Sequence, residues 1–198
     1  MNIEKFQELA PKTCNELGYN MNLAHMAMGM SGELLNEVVK ALLLKDKKNL
    51  NEELADCLWY VVVLAEKKGI KLSQQKLMVS RIDLPMEILL LLSLDITGLL
   101  TAMYVVGELV DVTKRESCYG KAKYQGKLII PEQLETLFYN VLVAIYGLAK
   151  KEGVDIEEGF DRVITKLHTV RYKDGYSDEA ALNRDLEAEK RAINGKES

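Results

Sequence analysis

The sequence predicts an all-α helical bundle, and three observations lead to that prediction. Prolines and glycines are few, at 3 and 13 in 198 residues. Runs in which apolar and polar residues alternate, as in a half-buried strand, are almost absent. Apolar residues instead recur at spacings of three and four, which places them on one face of an α-helix. With 48% hydrophobic residues, the chain can bury one sizeable core or two small ones.

The apolar spacing predicts eight helices. Taken in order, they span about 3–17, 21–44, 51–68, 72–82, 86–117, 131–151, 154–169 and 178–192. Pro85 and Pro131 stand at helix starts, where a missing N–H costs least, and Pro11 is expected to kink the first helix. The run Asn49-Leu50-Asn51-Glu52 has the spacing of a capping sequence and predicts a helix N-terminus just before Glu53.

The segment from Ile88 to Gly107 is the best candidate for a membrane span, because its 20 residues are nearly all apolar. Asp95 lies inside this segment, and burying its carboxylate in lipid would cost roughly 3 kcal/mol. A helix that is apolar on all sides also suits the centre of a helical bundle. We therefore expect a buried bundle helix and no membrane partner.

Two short sequences occur twice along the chain, in the same order. Gly32-Glu33-Leu34 is echoed by Gly107-Glu108-Leu109, and the run 65–70 is echoed by 149–154. Echoes in conserved order indicate a tandem duplication, and neither half can cover its apolar face alone. We expect two helical repeats packed pseudo-symmetrically in one bundle. The predicted segments are a first repeat over 1–84, a second repeat over 85–175 and a C-terminal helical arm over 176–198.

Charge and cysteine usage narrow the classes of function. The chain carries 26 Lys and Arg against 30 Asp and Glu, a net charge of −4, so it lacks the basic excess that nucleic-acid phosphates require. Its three cysteines include no Cys-x-x-Cys pair, which fits neither a disulfide framework nor a thiolate zinc site. The first five residues carry charges where a secretory signal needs an apolar stretch. We expect a cytoplasmic protein, in the host cytoplasm if the source is a phage, without a nucleic-acid partner.

Four carboxylates stand at helical spacing on two neighbouring predicted helices. Glu33 and Glu37 are four apart and Glu53 and Asp56 three apart, so each pair projects from one face of its helix. The short connector 45–49 should make the helices antiparallel and bring the pairs to a similar level. Such a cluster repels itself unless cations neutralise it, and its oxygen donors suit Mg²⁺ bound to a phosphate-bearing substrate. The alternative, acidic pairs on a solvated helix face, stays open at this point.

The order of these motifs is similar to that of a known family. The run from His25 to Glu37, followed by the run from Glu52 to Tyr60, resembles the MazG-like branch of the all-α nucleoside triphosphate pyrophosphohydrolases. The mark of that family is Glu-x-x-Glu, a variable gap, and Glu-x-x-Asp. Glu53 and Asp56 match its second half, whereas Glu33 is followed by Asn36 three residues later and by Glu37 four residues later. The tail from Lys166 to Glu189 is also similar to the C-terminal segment of many MazG-like proteins.

The resemblance implies hydrolysis of (deoxy)nucleoside triphosphates to the monophosphate and pyrophosphate, with Mg²⁺, or Mn²⁺ in its place, as cofactor. It implies catalytic roles for Glu33, Glu53 and Asp56. The implied metal ligands are Glu33, Glu37, Glu53 and Asp56, with Asn36 as an alternative. The candidate substrate contacts are Asn22, His25, Trp59, Lys40, Lys121, Arg171 and Lys173.

The second repeat departs from the family pattern. It keeps Glu108 and Asp111 but has Leu137 and Asn140 where its register predicts the second acidic pair. We therefore expect one complete metal site per chain, in the first repeat, and a degenerate second repeat. The alternative function is a catalytically inactive MazG-like bundle that binds nucleotides or serves as a scaffold. In either case we expect a homodimer or higher homo-oligomer.

Overall fold

The computed structural model describes residues 1–81, 97–173 and 176–194. Its helices are α1 (Ile3–Leu9) with a 3₁₀ turn (Ala10–Thr13), α2 (Tyr19–Gly32) with a π-helical turn (Glu33–Val38), α3 (Val39–Leu44), α4 (Lys47–Lys67), α5 (Gln74–Val79), α6 (Thr97–Tyr119), α7 (Pro131–Glu152), α8 (Ile156–Thr165) with a π-helical turn (Lys166–Arg171), α9 (Asp178–Leu182) and α10 (Leu186–Asn194). One small hairpin pairs β1 (Lys123–Tyr124) with β2 (Lys127–Leu128). The predicted all-α fold is confirmed.

Helix α4 is the central helix of the described structure. It packs against α2, α8, α7 and α1, while α2 also packs against α6 and α6 against α7. Almost every residue of α4 from Leu54 to Ala65 is buried or half-buried. One continuous core joins residues from Ile3 to Leu167, so both predicted repeats contribute to it. The division into two pseudo-symmetric repeats stays a prediction, and its boundary at 84–85 lies outside the described residues.

Several helix boundaries differ from the predicted ones for local reasons. Helix α1 ends at Leu9, and Pro11 lies in the first positions of the 3₁₀ turn that follows, after which Cys14 is extended. The α-helix therefore ends before Pro11, where the sequence predicted a kink. Helix α4 begins at Lys47 rather than before Glu53, since the Asp46 side chain caps it by accepting a hydrogen bond from the Asn49 N–H. The predicted start of α7 at Pro131 is correct.

The hairpin at 123–128 was missed by the sequence analysis. Its turn residues Gln125 and Gly126 both have positive φ, 48° and 80°, which suits the tight turn of a two-residue hairpin. The glycine in a short polar segment was the local signal for this hairpin.

Among the helices of the described ranges, none combines the length and apolar character that a membrane span needs. Pro85, Asp95 and the start of the apolar segment at Ile88 lie outside those ranges.

Candidate active site

The π-helical turn at Glu33–Val38 faces α4 and carries the first predicted acidic pair. A π turn closes i→i+5 hydrogen bonds, one residue more than an α turn, and such turns occur frequently at functional sites. The one-residue offset of Glu37 from the family spacing falls inside this turn. Glu33 and Glu37 are both half-buried, but Glu37 pairs with Lys40 at 3.2 Å.

Glu33, Glu53 and Asp56 form an acidic cluster between the π turn and α4. Glu33 and Glu53 are joined by a hydrogen bond. Burial, followed by the charge of Asp56, raises the pKa of Glu33 to about 7. The same two causes, in the same order, raise the pKa of Glu53 to about 8. Burial and the neighbouring charge of Asp56 therefore both oppose the ionisation of Glu33 and Glu53.

Lys166 is a buried cation beside this cluster, and the sequence analysis did not assign it a role. Its Nζ lies 2.6 Å from Asp56 Oδ2 and 2.7 Å from Glu52 Oε1, with only 4% of the side chain exposed. Burial opposes the charged form, but the ion pairs with Asp56 and Glu52 hold the pKa of Lys166 above its ordinary value. Lys166 thus already neutralises part of the acidic cluster.

A cavity of about 200 Å³ lies beside the acidic cluster. Glu33, Asp56 and Lys166 line it together with aromatic side chains of α2 and α4, whereas Glu53 is not among its lining residues. Trp59 Nε1 donates a hydrogen bond to Thr13 Oγ1 at 3.1 Å, and the Trp59 and Tyr60 rings meet edge to face at 4.9 Å. This network fixes the aromatic wall beside the carboxylates.

His25 continues the aromatic wall and packs edge to face on Tyr60, with ring centroids 5.7 Å apart. Burial lowers the pKa of His25, so its imidazole is neutral at pH 7 and has one donor and one acceptor nitrogen. Within the described part of the chain, its buried Nδ1 has no hydrogen-bond partner. His25 thus lines the cavity with one ring nitrogen that is buried and unpaired.

Gly29 allows the aromatic wall to approach α2. A Cβ at this position would overlap the Tyr60 ring, whereas a Cβ at Gly32, three residues along the helix, would meet nothing within 4 Å. Gly29→Ala should therefore lower the free energy of unfolding by about 2 kcal/mol, through overpacking. Gly32→Ala should raise it by about 0.5 to 1 kcal/mol through helix propensity. Urea unfolding of both variants measures this difference, and equal stabilities would show that the Tyr60 contact does not constrain the wall.

Several predicted site residues lie away from the cavity. Asn36 Nδ2 donates to Glu37 Oε1 at 2.6 Å, and Lys40 Nζ donates to Glu37 Oε2 at 3.2 Å, so these three residues form an exposed group on α3 and the π turn. Asn22 is buried, and its Oδ1 accepts from the Leu17 N–H at 3.2 Å, which is a structural role.

Two of the predicted phosphate contacts, Lys121 and Lys173, are exposed and do not line the cavity. Arg171 does line it, together with His25 and Trp59. In the second predicted repeat, Asp111 is paired with Lys114 and Arg115 on the surface. Such pairing is typical of a solvated helix face.

The acidic cluster offers oxygen donors to the predicted metal ion. No group of three or more His, Cys, Asp and Glu side chains in the described ranges is arranged to hold a metal ion. The donor chemistry of Glu33, Glu53 and Asp56 nonetheless fits a hard divalent cation, because a cation would favour the charged forms that burial and the charge of Asp56 oppose in Glu33 and Glu53. Asp56 would exchange its contact with Lys166 for the ion. The ligand set, including Glu37 and Asn36, stays a prediction.

The described part of the C-terminal arm, residues 176–194, contributes to the lining of the cavity. Tyr176, Ala181 and Arg184 line it together with Arg171. Arg171 Nε and Nη2 donate to the two carboxylate oxygens of Glu189, each at 2.7 Å. Arg184 Nη2 donates to Glu189 Oε2 at 3.1 Å. Sequence analysis missed Arg184 and Glu189, since no spacing in the arm identifies what it packs against.

The Glu189 carboxylate should make arm docking sensitive to acid. Burial alone would raise its pKa, but hydrogen bonds from Arg171 and Arg184 lower it from 4.5 to about 2. A lowered pKa adds stability that is full above pH 4.5 and is lost as the pH falls toward 2. The stability advantage of the wild type over Glu189→Gln should therefore shrink across that range.

Urea unfolding from pH 7 downward measures this advantage. Glu179→Gln, a substitution at an exposed position of the same arm, serves as the control and should change stability by less than about 0.5 kcal/mol. A wild-type advantage over Glu189→Gln that does not vary with pH would contradict the prediction.

Residues 23–77 match the model of the MazG nucleotide pyrophosphohydrolase domain. The matched segment contains Glu33, Glu53 and Asp56, and it confirms the MazG-like resemblance for this part of the chain. It does not extend to the second predicted repeat, so the tandem form stays a prediction. The comparisons with curated proteins and with solved structures give no match.

Proposed function

We propose, on the premise that residues 23–77 form a MazG nucleotide pyrophosphohydrolase domain, that the protein hydrolyses (deoxy)nucleoside triphosphates to the monophosphate and pyrophosphate. The observation that carries the proposal is the acidic cluster of Glu33, Glu53 and Asp56 beside an aromatic-walled cavity. A carboxylate cluster suits a divalent ion with a phosphate chain, and aromatic walls suit a nucleobase. Neither feature alone would indicate a triphosphate, but together they match its two chemically different ends.

The proposed mechanism uses the carboxylates to direct a water molecule. Glu33, Glu53 and Asp56 would hold Mg²⁺, which when bound supplies positive charge to the phosphates and lowers the pKa of a bound water. The carboxylates orient the water and accept its proton as its oxygen bonds to the α-phosphorus. The bond from the α-phosphorus to the bridging oxygen then breaks, and pyrophosphate leaves.

Basic and aromatic side chains complete the proposed site. Lys166 and Arg171 both line the cavity, and their charges would stabilise the negative charge that develops on the leaving pyrophosphate. His25 and Trp59 form the wall against which the base would lie. Lys166 would exchange its contact with Asp56 for a phosphate oxygen once a divalent ion neutralises the carboxylates.

A metal add-back experiment tests the proposal. The chain is treated with EDTA, supplied with a panel of ribonucleoside and deoxynucleoside triphosphates, and assayed for monophosphate and pyrophosphate. We expect release with Mg²⁺ or Mn²⁺. Ca²⁺ should inhibit, because its longer bonds and looser geometry misplace the attacking water. Full activity in EDTA would overturn the metal mechanism, and orthophosphate with nucleoside diphosphate as products would overturn the site of cleavage.

A second candidate function is a nucleotide-binding bundle without catalysis. The contact of Lys166 with Asp56 favours it, because a lysine in this position already supplies positive charge to the carboxylates. Trp59 is the single tryptophan of the chain and lines the cavity, so its fluorescence should report binding directly. Nucleotide binding without pyrophosphate release under any divalent ion would select this candidate.

The proposal extends to the assembly and location of the protein. We propose that the protein is a cytoplasmic homodimer or higher homo-oligomer, and that it acts on nucleotides without a nucleic-acid or membrane partner. The net charge of −4 supports the exclusion of nucleic acid. A monomer of 22.3 kDa in light scattering would contradict the homo-oligomer.

A further inference from the structure

Two arginines that line the cavity converge on one carboxylate. Arg171 comes from the π turn after α8 and Arg184 from the arm, and both bind Glu189, whose side chain is only 4% exposed. Two guanidinium groups and one carboxylate leave a surplus of one positive charge in this group. Both arginines line the cavity, so the surplus faces the space that a ligand would enter.

The same cavity is also lined by the acidic residues Glu33 and Asp56. Its lining therefore combines carboxylates of the π turn and α4 with guanidinium groups of the turn after α8 and of the arm. A molecule that carries a divalent ion on one part of a phosphate chain and bare phosphates on another has the matching distribution of charge. Guanidinium groups bind phosphate oxygens through paired N–H donors.

The contacts of the two arginines with Glu189 differ in strength. Arg171 binds both carboxylate oxygens at 2.7 Å and is 13% exposed. Arg184 makes one bond of 3.1 Å and is 44% exposed. A guanidinium has five N–H donors, more than these contacts use in either residue. Arg184 is thus the residue that an incoming phosphate can engage, while the bidentate pair holds Arg171 in place.

We propose that the C-terminal arm completes the phosphate-binding end of the site: Arg184 contacts the substrate's terminal phosphates, and Glu189 is a positioning residue for Arg171 and Arg184. The inference rests on the proposed function, because it assigns the part of the site that receives the polyphosphate. It goes beyond that function in making the arm, which lies outside the matched segment 23–77, part of the substrate site.

The contacts of Glu189 both dock the arm and position the two arginines. Besides Glu189, the arm is joined to the body by a hydrogen bond from Asn15 Nδ2 to Asp178 Oδ1 at 3.3 Å. The Tyr172 and Tyr176 rings also lie 5.1 Å apart. Removing the Glu189 carboxylate releases both arginines from their shared position, whereas removing Arg184 leaves the bidentate pair and the tyrosine contact in place. The two substitutions therefore separate binding from positioning.

The test measures binding without hydrolysis as well as turnover, using the full chain. Inorganic tripolyphosphate in EDTA is titrated against Trp59 fluorescence, and KM and kcat are measured separately with nucleoside triphosphate and Mg²⁺. Arg184→Ala should raise the Kd for tripolyphosphate and the KM by about tenfold or more, with kcat nearly unchanged. Arg184→Lys should recover part of the affinity, because it restores the charge without the paired donors.

Glu189 is tested by the same two measurements. Glu189→Gln should weaken tripolyphosphate binding and raise KM, and Glu189→Asp should restore part of both, as expected of a positioning carboxylate. Arg191→Ala is the matched control, because Arg191 is an exposed arginine of the same arm that does not line the cavity. The control should bind tripolyphosphate as the wild type does.

The outcomes separate this inference from the proposed function. Binding of tripolyphosphate that depends on Arg184, in a chain that releases no pyrophosphate, would support the inference and overturn the catalytic function. Pyrophosphate release with Arg184→Ala indistinguishable from Arg191→Ala in Kd and KM would overturn the inference and leave the function standing. A wild-type chain that does not bind tripolyphosphate would also overturn the inference.

Discussion

Replacing Asp56 with asparagine should lower the rate of pyrophosphate release by about 10² to 10³-fold or more and leave the chain folded. The substitution keeps the shape of the side chain but removes one of the three carboxylates proposed to hold the ion and direct the water. Relief of repulsion with Glu33 and Glu53 offsets part of the lost ion pair with Lys166. Saturating Mg²⁺ should not restore turnover.

Glu52→Gln is the matched control for this prediction. Glu52 binds the same Lys166 Nζ, at 2.7 Å against 2.6 Å for Asp56, but it is not one of the three carboxylates proposed to hold the ion. Glu52→Gln removes one negative charge that contacts Lys166, as Asp56→Asn does, and we expect Glu52→Gln to lower turnover by less than about tenfold. Near wild-type turnover in both Asp56→Asn and Glu53→Gln, at saturating Mg²⁺, would show that the site has been assigned to the wrong residues.

Lys166→Met should destabilise the metal-free protein by about 2 kcal/mol and also impair turnover. Removing one partner of a fully buried ion pair costs about 3 to 5 kcal/mol, because it leaves a charge without compensation. Asp56 and Glu52 are each about one-fifth exposed, so solvent reduces that cost. Mg²⁺ should stabilise the variant more than the wild type, since the carboxylates then depend on the ion for neutralisation.

Urea unfolding in EDTA and in Mg²⁺ measures both effects. The control is Lys40→Met, because Lys40 is 58% exposed and pairs with Glu37 at 3.2 Å; it should change stability by less than about 0.5 kcal/mol. If Lys166→Met is as stable in EDTA as Lys40→Met, then Lys166 does not neutralise the acidic cluster.

The parts of the fold that could be predicted from sequence are those set by local spacing. Apolar residues three and four apart identified α4 and α7 because each has neighbours along its own helix. The same reasoning brought Glu33, Glu53 and Asp56 together, since a short connector holds α3 and α4 antiparallel. Two helices that follow each other in the chain with a short connector can be placed side by side from the sequence alone.

The missed residues act through contacts that no local pattern encodes. Lys166 reaches Asp56 across 110 residues of sequence, and its neighbours Val163, Ile164 and Leu167 describe an ordinary apolar helix face. Arg184 and Glu189 acquire their roles only when the arm packs on the π turn after α8. Lys121 and Lys173 were proposed as phosphate contacts because of their charge, and charge alone does not fix where a side chain lies.

The distance along the chain between the two halves of the cavity has a consequence for biosynthesis. The segment with Glu33 and Asp56 leaves the ribosome early, while Lys166 and Glu189 are added more than 100 residues later. During translation the acidic cluster therefore forms without its lysine, and the cavity without the arm. A chain that ends before residue 184 would therefore carry Glu33, Glu53, Asp56 and Lys166, and we expect it to bind the triphosphate more weakly than the full chain does.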